Sequence, residues 1–350
     1  KHDKRELMAQ TWYPIENTNN KNKKSLYPKD KKMFNEYKQA LSKALRVPVF
    51  TFDYWKYIKT NSYDNVAISN SEDKYPLVII SHGYGTMKEL HVSQAENLAS
   101  HGYIVLALDH TYCTIVTTFP NGLVTNTKLD MYSDEKFLDN KEYLGDIWTK
   151  DINFILKQII KLDSGFIKSN VTDRIDTDNI GIMGHSFGAG TSLNATYKEK
   201  NIKAGICMDG GIYNEDNINE LDKPIMFMTT TDSLWFEENL KNRKQDNISK
   251  SLGNRLAKYY EMQYEIINNA KENSGYLLSI EGTRHHNFTD IQIYSKIFSV
   301  IGFTGKINGR RSNDIVNTYT LEFFNKYLKG KESILLGRYN DRYPEVEFYK

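Results

Sequence analysis

The sequence predicts an α/β fold, doubly wound around a mostly parallel sheet with helices on both faces. Short uninterrupted apolar runs recur from Tyr75 onward, helical periodicities separate them, and glycine-rich turns follow two of the runs directly. Four or five apolar residues in a row suit a strand covered on both faces, as in a parallel sheet. Strand alternating with helix implies βαβ units with right-handed crossovers.

In chain order, residues 7–13 alternate weakly and read as an edge strand that Pro14 stops. Residues 17–32 are rich in Asn and Lys and read as a solvated loop. Phe52, Tyr54, Trp55 and Tyr57 form an aromatic cluster assigned to core packing. Buried strands follow at 77–80, 104–108, 180–183, 204–208, 225–228 and 276–280. Val92, Ala95 and Ala99 share one helical face, stopped by Gly102. Trp148, Ile152, Ile155 and Ile159 share another, and Val316, Tyr319, Phe323 and Tyr327 a third, closed by Gly330. The polar region 112–143 has the length of a lid, though loops of this length also occur without one. Residues 233–274 are long and polar and read as a cap inserted over the sheet edge, within one domain spanning 1–350.

Composition narrows the function. The 350 residues carry 46 basic and 44 acidic side chains, a net charge of +2, which gives no electrostatic case for nucleic acid. No apolar run is long enough to span a bilayer. Two cysteines exclude a disulfide scaffold or a thiolate zinc site, and no His-Glu-x-x-His pattern points to metal, so no metal site is expected. The chain begins at Lys1, which reads as a trimmed N-terminus and favours a secreted or envelope location. Oligomeric state is left open.

The sharpest signal is Gly184-His185-Ser186-Phe187-Gly188, between a buried strand and a helix-compatible segment. A chain that reverses this tightly holds the serine in a strained conformation with Oγ exposed, and glycine on either side relieves the crowding. Ser186 is therefore the candidate nucleophile. Ser81-His82-Gly83-Tyr84-Gly85 follows the first buried run and suits an oxyanion-binding turn, with a second N–H from Phe187 after the serine. The base candidates are His285 and His286, after the last buried run. The acid candidates are Asp209 and Asp232, each at the end of a buried run. The spacing alone leaves both pairs open. His82, His101, His110 and His185 read as structural. Cys113 and Cys207 read as core thiols, and Trp235 and Phe236 as pocket candidates.

These motifs resemble the plasma-type platelet-activating factor acetylhydrolases and their bacterial relatives, within the α/β-hydrolase superfamily. The resemblance covers about residues 5–329. It rests on Thr11-Trp12-Tyr13-Pro14, Tyr75-Pro76, the turn at 81–85, Leu98-Ala99-Ser100-His101-Gly102-Tyr103, the serine pentapeptide, Met208-Asp209-Gly210 and His285-His286-Asn287-Phe288. It implies an α/β-hydrolase fold and a Ser186-His285-Asp209 triad, the acid lying 23 residues after the serine. It also implies backbone oxyanion donors at Tyr84 and Phe187, no cation cofactor, and a short-acyl, phospholipid-like or small ester substrate. The stretch from Asp209 to His285 is longer than the family pattern, with the excess inside 233–274. A polyester- or lipase-type esterase, an amidase on the same fold, and a non-catalytic binding protein are the alternatives. The spacing of Asp232 resembles bacterial lipases and cutinases.

Overall fold

All six predicted buried runs become neighbours in one eight-stranded sheet. The computed structural model describes residues 4–16, 21–64, 66–213, 222–234 and 249–349. The sheet strands are β1 (Met8–Trp12), β2 (Tyr75–Ser81), β3 (Ile104–Asp109) and β4 (Ile175–His185). They continue as β5 (Ile202–Met208), β6 (Ile225–Thr230), β7 (Tyr276–Ile280) and β8 (Val346–Tyr349). Their order across the sheet is β1-β3-β2-β4-β5-β6-β7-β8. The pairs from β3 to β7 are parallel. The edge strands β1 and β8 are antiparallel.

Helices cover both faces. Ahead of them in the chain, α1 (Lys31–Leu45) packs Phe34, Tyr37 and Leu41 into a separate cluster with Phe52 and Trp55. One face of the sheet carries α2 (Val92–Ser100) and α6 (Gly309–Lys329). Val78, Ile80, Met183, Ile206 and Met228 meet Leu98, Ile315, Tyr319 and Phe323 there. The opposite face carries α3 (Asp134–Asp163), α4 (Phe187–Lys198) and α5 (Lys250–Glu272). On that side Leu77, Ile79 and Ile182 pack on Ile152, Ile155 and Ile159 of α3. Ile225, Phe227 and Leu277 pack on Met262, Ile266 and Ala270 of α5. Successive strand residues point to opposite faces, and here both faces are apolar-covered, which is why the strands read as unbroken apolar runs.

Some expectations change. Within 17–32, Lys23–Ser25 pairs with Lys59–Tyr63 and Lys31 starts α1, because Phe34, Tyr37 and Leu41 supply a buried stripe. The aromatic cluster divides: Phe52 and Trp55 are buried, whereas Tyr54 and Tyr57 are exposed. In the region read as a cap, 235–248 lie outside the described residues, Trp235 and Phe236 among them. The described remainder contains α5, whose apolar side lies on the sheet beside β6 and β7.

The sheet order also locates a crevice. From β2 the chain moves one way to β3 and the other way to β4. At such a reversal the loops leaving the carboxyl ends of adjacent strands diverge, and a cleft opens between them.

Candidate active site

Ser186 occupies that crevice, between the end of β4 and the start of α4, with φ 57° and ψ −121°. A non-glycine residue held there costs about 1–3 kcal/mol, which the surrounding packing must offset. The Ser186 N–H donates to the Met208 carbonyl at 2.9 Å, and the Ser186 carbonyl accepts from Ala189 N–H at 2.9 Å. A Cβ at Gly184 would lie 1.9 Å from the Gly188 carbonyl oxygen, and one at Gly188 would lie 2.4 Å from those of Ser81 and His82. The two glycines of the pentapeptide are thus required by close backbone approach.

Asp209 follows β5 with φ 41°. One carboxylate oxygen, Oδ2, is 2.7 Å from His285 Nδ1. The other accepts from Thr229 Oγ1 at 2.9 Å and from Thr230 N–H at 3.1 Å. Burial pushes this carboxyl up, but the hydrogen bond and charge of His285, with the donors of Thr230 and Thr229, hold it below the usual aspartate value. Nδ1 of His285 thus donates to the carboxylate, and Nε2 is left as the acceptor. Asp232 instead lies exposed in a one-turn helix at Thr231–Leu234.

The loop after β7 fixes His285. Its carbonyl accepts from His185 Nε2–H at 2.9 Å. Asn287 Oδ1 accepts from Arg284 N–H at 2.9 Å and Gly305 N–H at 2.6 Å. Phe288 is fully buried in the core. The neighbouring His286 stacks on Phe303 at 4.4 Å, and burial, then the neighbouring His285, lowers it to about 3. The structure therefore separates the two histidines that the spacing left open, turning one ring to Asp209 and the other to Phe303.

Ser186, Phe187, Asp209, His285 and Tyr84 border one cavity of about 250 Å³, with Met131, Tyr132, Phe137, Gly210 and Gly211. Phe187 is the first residue of α4, so its N–H belongs to the donors a helix leaves unpaired at its start. Tyr84 lies in the turn after β2, and its hydroxyl donates to the Leu129 carbonyl. Among the described residues, no group of three or more His, Cys, Asp or Glu side chains is placed to hold a metal ion. No helix among them is long and apolar enough to cross a membrane.

Sequence reasoning missed several contributors. Met131, Tyr132 and Phe137 reach the cavity from the region considered as a lid. Gln263 of α5 braces the acid loop, bonding the Ile212 N–H at 2.7 Å and the Ile212 carbonyl at 2.8 Å. Tyr213 stacks behind Phe187 at 4.7 Å. Each acts across a long chain separation, so no local pattern marks it.

A family model described as platelet-activating factor acetylhydrolase, isoform II, matches residues 1–144 and 146–336. The chain belongs to that family. It is a carboxylic ester hydrolase. The platelet-activating factor acetylhydrolase of Cavia porcellus is 25% identical over 317 residues, covering 84% of this chain and 67% of its own length. A probable 1-alkyl-2-acetylglycerophosphocholine esterase of Arthroderma benhamiae is 26% identical over 285 residues, covering 78% of this chain and 66% of its own length. The chain thus spans about two thirds of the length of these family relatives. Cutinase est1 of Thermobifida alba is 28% identical over 132 residues, covering 38% of this chain and 34% of its own. A ferulic acid esterase structure from Streptomyces cinnamoneus matches with TM-score 0.70 at 22% identity, over 98% of this chain and 89% of its own. The fold is that of the α/β-hydrolases.

Proposed function

We propose that this family member hydrolyses short-acyl esters, phospholipid-like or small, through a Ser186-His285-Asp209 triad and an acyl-enzyme. The observation that carries the reading is the buried Asp209 carboxylate on His285 Nδ1 at 2.7 Å, in the same cavity that Ser186 lines. His285 Nε2 takes the Ser186 proton as Oγ attacks the ester carbonyl, and Asp209 stabilises the imidazolium. The N–H groups of Tyr84 and Phe187 meet the oxyanion, and the start of α4 adds its partial positive charge. Collapse of the tetrahedral intermediate expels the alcohol, which leaves with the proton from His285. Water then attacks the acyl-serine with His285 again as base.

A cavity of about 250 Å³ lies below the usual range for small-molecule sites, roughly 300–1,000 Å³, and so favours a short acyl group. Tyr84, Phe137 and Phe187 wall it. The names of the relatives, an acetylhydrolase and an acetylglycerophosphocholine esterase, support the same substrate class.

The test is turnover of a glycerophospholipid series graded in sn-2 acyl length, beside simple esters. Ser186→Ala and Asp209→Asn are each expected to lose at least about 10³-fold in kcat, as for removal of a triad member. Asp232→Asn should retain activity. Full activity in Asp209→Asn, or preference for long acyl chains, would overturn the reading. The partial likeness to a cutinase favours a second reading, polyester hydrolysis. Release of monomer from a polyester film at a rate matching short-ester turnover would select it.

A further inference from the structure

In the proposed mechanism the N–H of Tyr84 is an oxyanion donor, and it shares one amide with the carbonyl of Gly83. That carbonyl receives three donors. His82 Nδ1 lies 2.6 Å from it, Thr86 Oγ1 2.8 Å, and Thr86 N–H 3.0 Å. The next peptide is pinned too, with Gly85 N–H donating to the Cys113 carbonyl at 2.8 Å.

The protonation of His82 follows from its partners. Its Nε2 accepts from the His110 backbone N–H at 2.9 Å, so the ring proton sits on Nδ1, facing Gly83. His110 is fixed in turn. Its Nδ1 is 2.9 Å from Asp151, its Nε2 is 3.0 Å from Ser81 Oγ, and its ring stacks on Trp148 at 3.8 Å. Asp151 is clamped by Arg5 at 2.8 and 2.7 Å.

We propose, resting on the oxyanion reading of Tyr84, that His82 and Thr86 are positioning residues for catalysis. They hold and polarise the Gly83–Tyr84 peptide so that its N–H serves as a strong, fixed oxyanion donor. Two physical effects combine. A trans peptide pinned at its oxygen aims its N–H to the opposite side, and Tyr84 borders the reaction cavity. Donors on the oxygen also shift amide electron density from nitrogen to oxygen, which makes the N–H a better donor. Gly83 has no Cβ to resist rotation, and one added there would lie 2.9 Å from Ser186 Cβ. The position must stay glycine, so the three bonds to its carbonyl supply the rigidity a side chain cannot.

The experiment uses the full chain labelled with ¹³C-carbonyl glycine and ¹⁵N-tyrosine. Gly-Tyr pairs occur at 83–84, 102–103 and 275–276, so three cross-peaks arise, and Tyr84→Phe identifies the relevant one by its loss. In Thr86→Val the Tyr84 amide proton should move upfield. The kcat should fall about five- to tenfold at unchanged KM, the worth of one net hydrogen bond. Affinity for an alkyl boronic acid, which forms a tetrahedral adduct on serine, should fall by the same factor. Thr86→Ser should restore all three. His82→Leu should add to the loss, and if it fails to fold, the threonine variants decide alone. An unmoved cross-peak with unchanged kcat in Thr86→Val overturns the proposal, as does a loss carried by KM alone. A parent cross-peak that ignores the boronic acid would instead remove Tyr84 from the oxyanion site.

Discussion

Asp290, five residues beyond His285, is a carboxyl whose charge is disfavoured by burial. It is 1% exposed, and burial raises it to about 7 against the pull of Ser93 and Tyr294, with Glu96 adding to the rise. Ser93 N–H donates to Oδ2 at 2.8 Å, while the single proton of Ser93 Oγ faces both Asp290 Oδ1 and Asn313 Oδ1. A protonated Asp290 meets that shortage. Unfolded, the group titrates near 3.9. Between the two values the folded chain keeps a proton that the unfolded chain has lost, so Asp290 subtracts stability as pH rises towards and through 7. The buried histidines act with the opposite sign. Burial lowers His82 to about 3 and His91 to about 4, and lowers His110 and His185 as well. The folded state excludes protons that the unfolded state takes up, so stability falls as pH drops below about 6.5. Net melting temperature should therefore decline on acidification. Asp290→Asn, whose amide can replace the lost O–H donor, should gain on the parent from pH 5.5 to about 7 and level off above it. A constant offset between the two melting curves would refute this account.

At the scale of elements, the tight turn at residues 184–188 and the six inner strands are legible for the same reason: backbone crowding and two-sided burial leave strict marks on sequence. Gly188 illustrates the strictness. Its missing Cβ is the space in which Ser81 and His82 lie, so Gly188→Ala should destabilise by about 1–3 kcal/mol, as overpacking does. It should also depress kcat by displacing Ser186, and chemical denaturation paired with turnover checks both. The choice of the proposed acid is not legible from the residues themselves. Asp209 and Asp232 both close apolar runs, and what separates them is a left-handed φ of 41° and two threonine donors from β6, which no local pattern reports. The length of β8, four residues, hides it. The exposed side of α5 is polar enough to mask Met262, Ile266 and Ala270.

Across the whole molecule, Arg5 shows how far from the reaction the site is anchored. Its guanidinium grips Asp151 on α3, 146 residues away in sequence, and donates to the Thr111 carbonyl at 2.8 Å. Arg5→Met leaves a largely buried Asp151 with His110 as a remaining partner. Stability is expected to drop by about 1.5–3 kcal/mol, the scale of charged hydrogen bonds, with the denaturant slope unchanged. A loss in that range should raise thermal inactivation while leaving KM intact, and an unaltered unfolding midpoint would show the bridge to be incidental.

The groups proposed for catalysis arrive from four separate strands: Tyr84 after β2, Ser186 after β4, Asp209 after β5 and His285 after β7. Collapse alone cannot assemble them, because each pairing closes a long stretch of polypeptide. In the proposed mechanism turnover therefore requires β2, β4, β5 and β7 to be in place together. A ribosome-bound chain still lacking β7 would lack the proposed base, so activity should emerge only after residue 285 has been joined to the sheet.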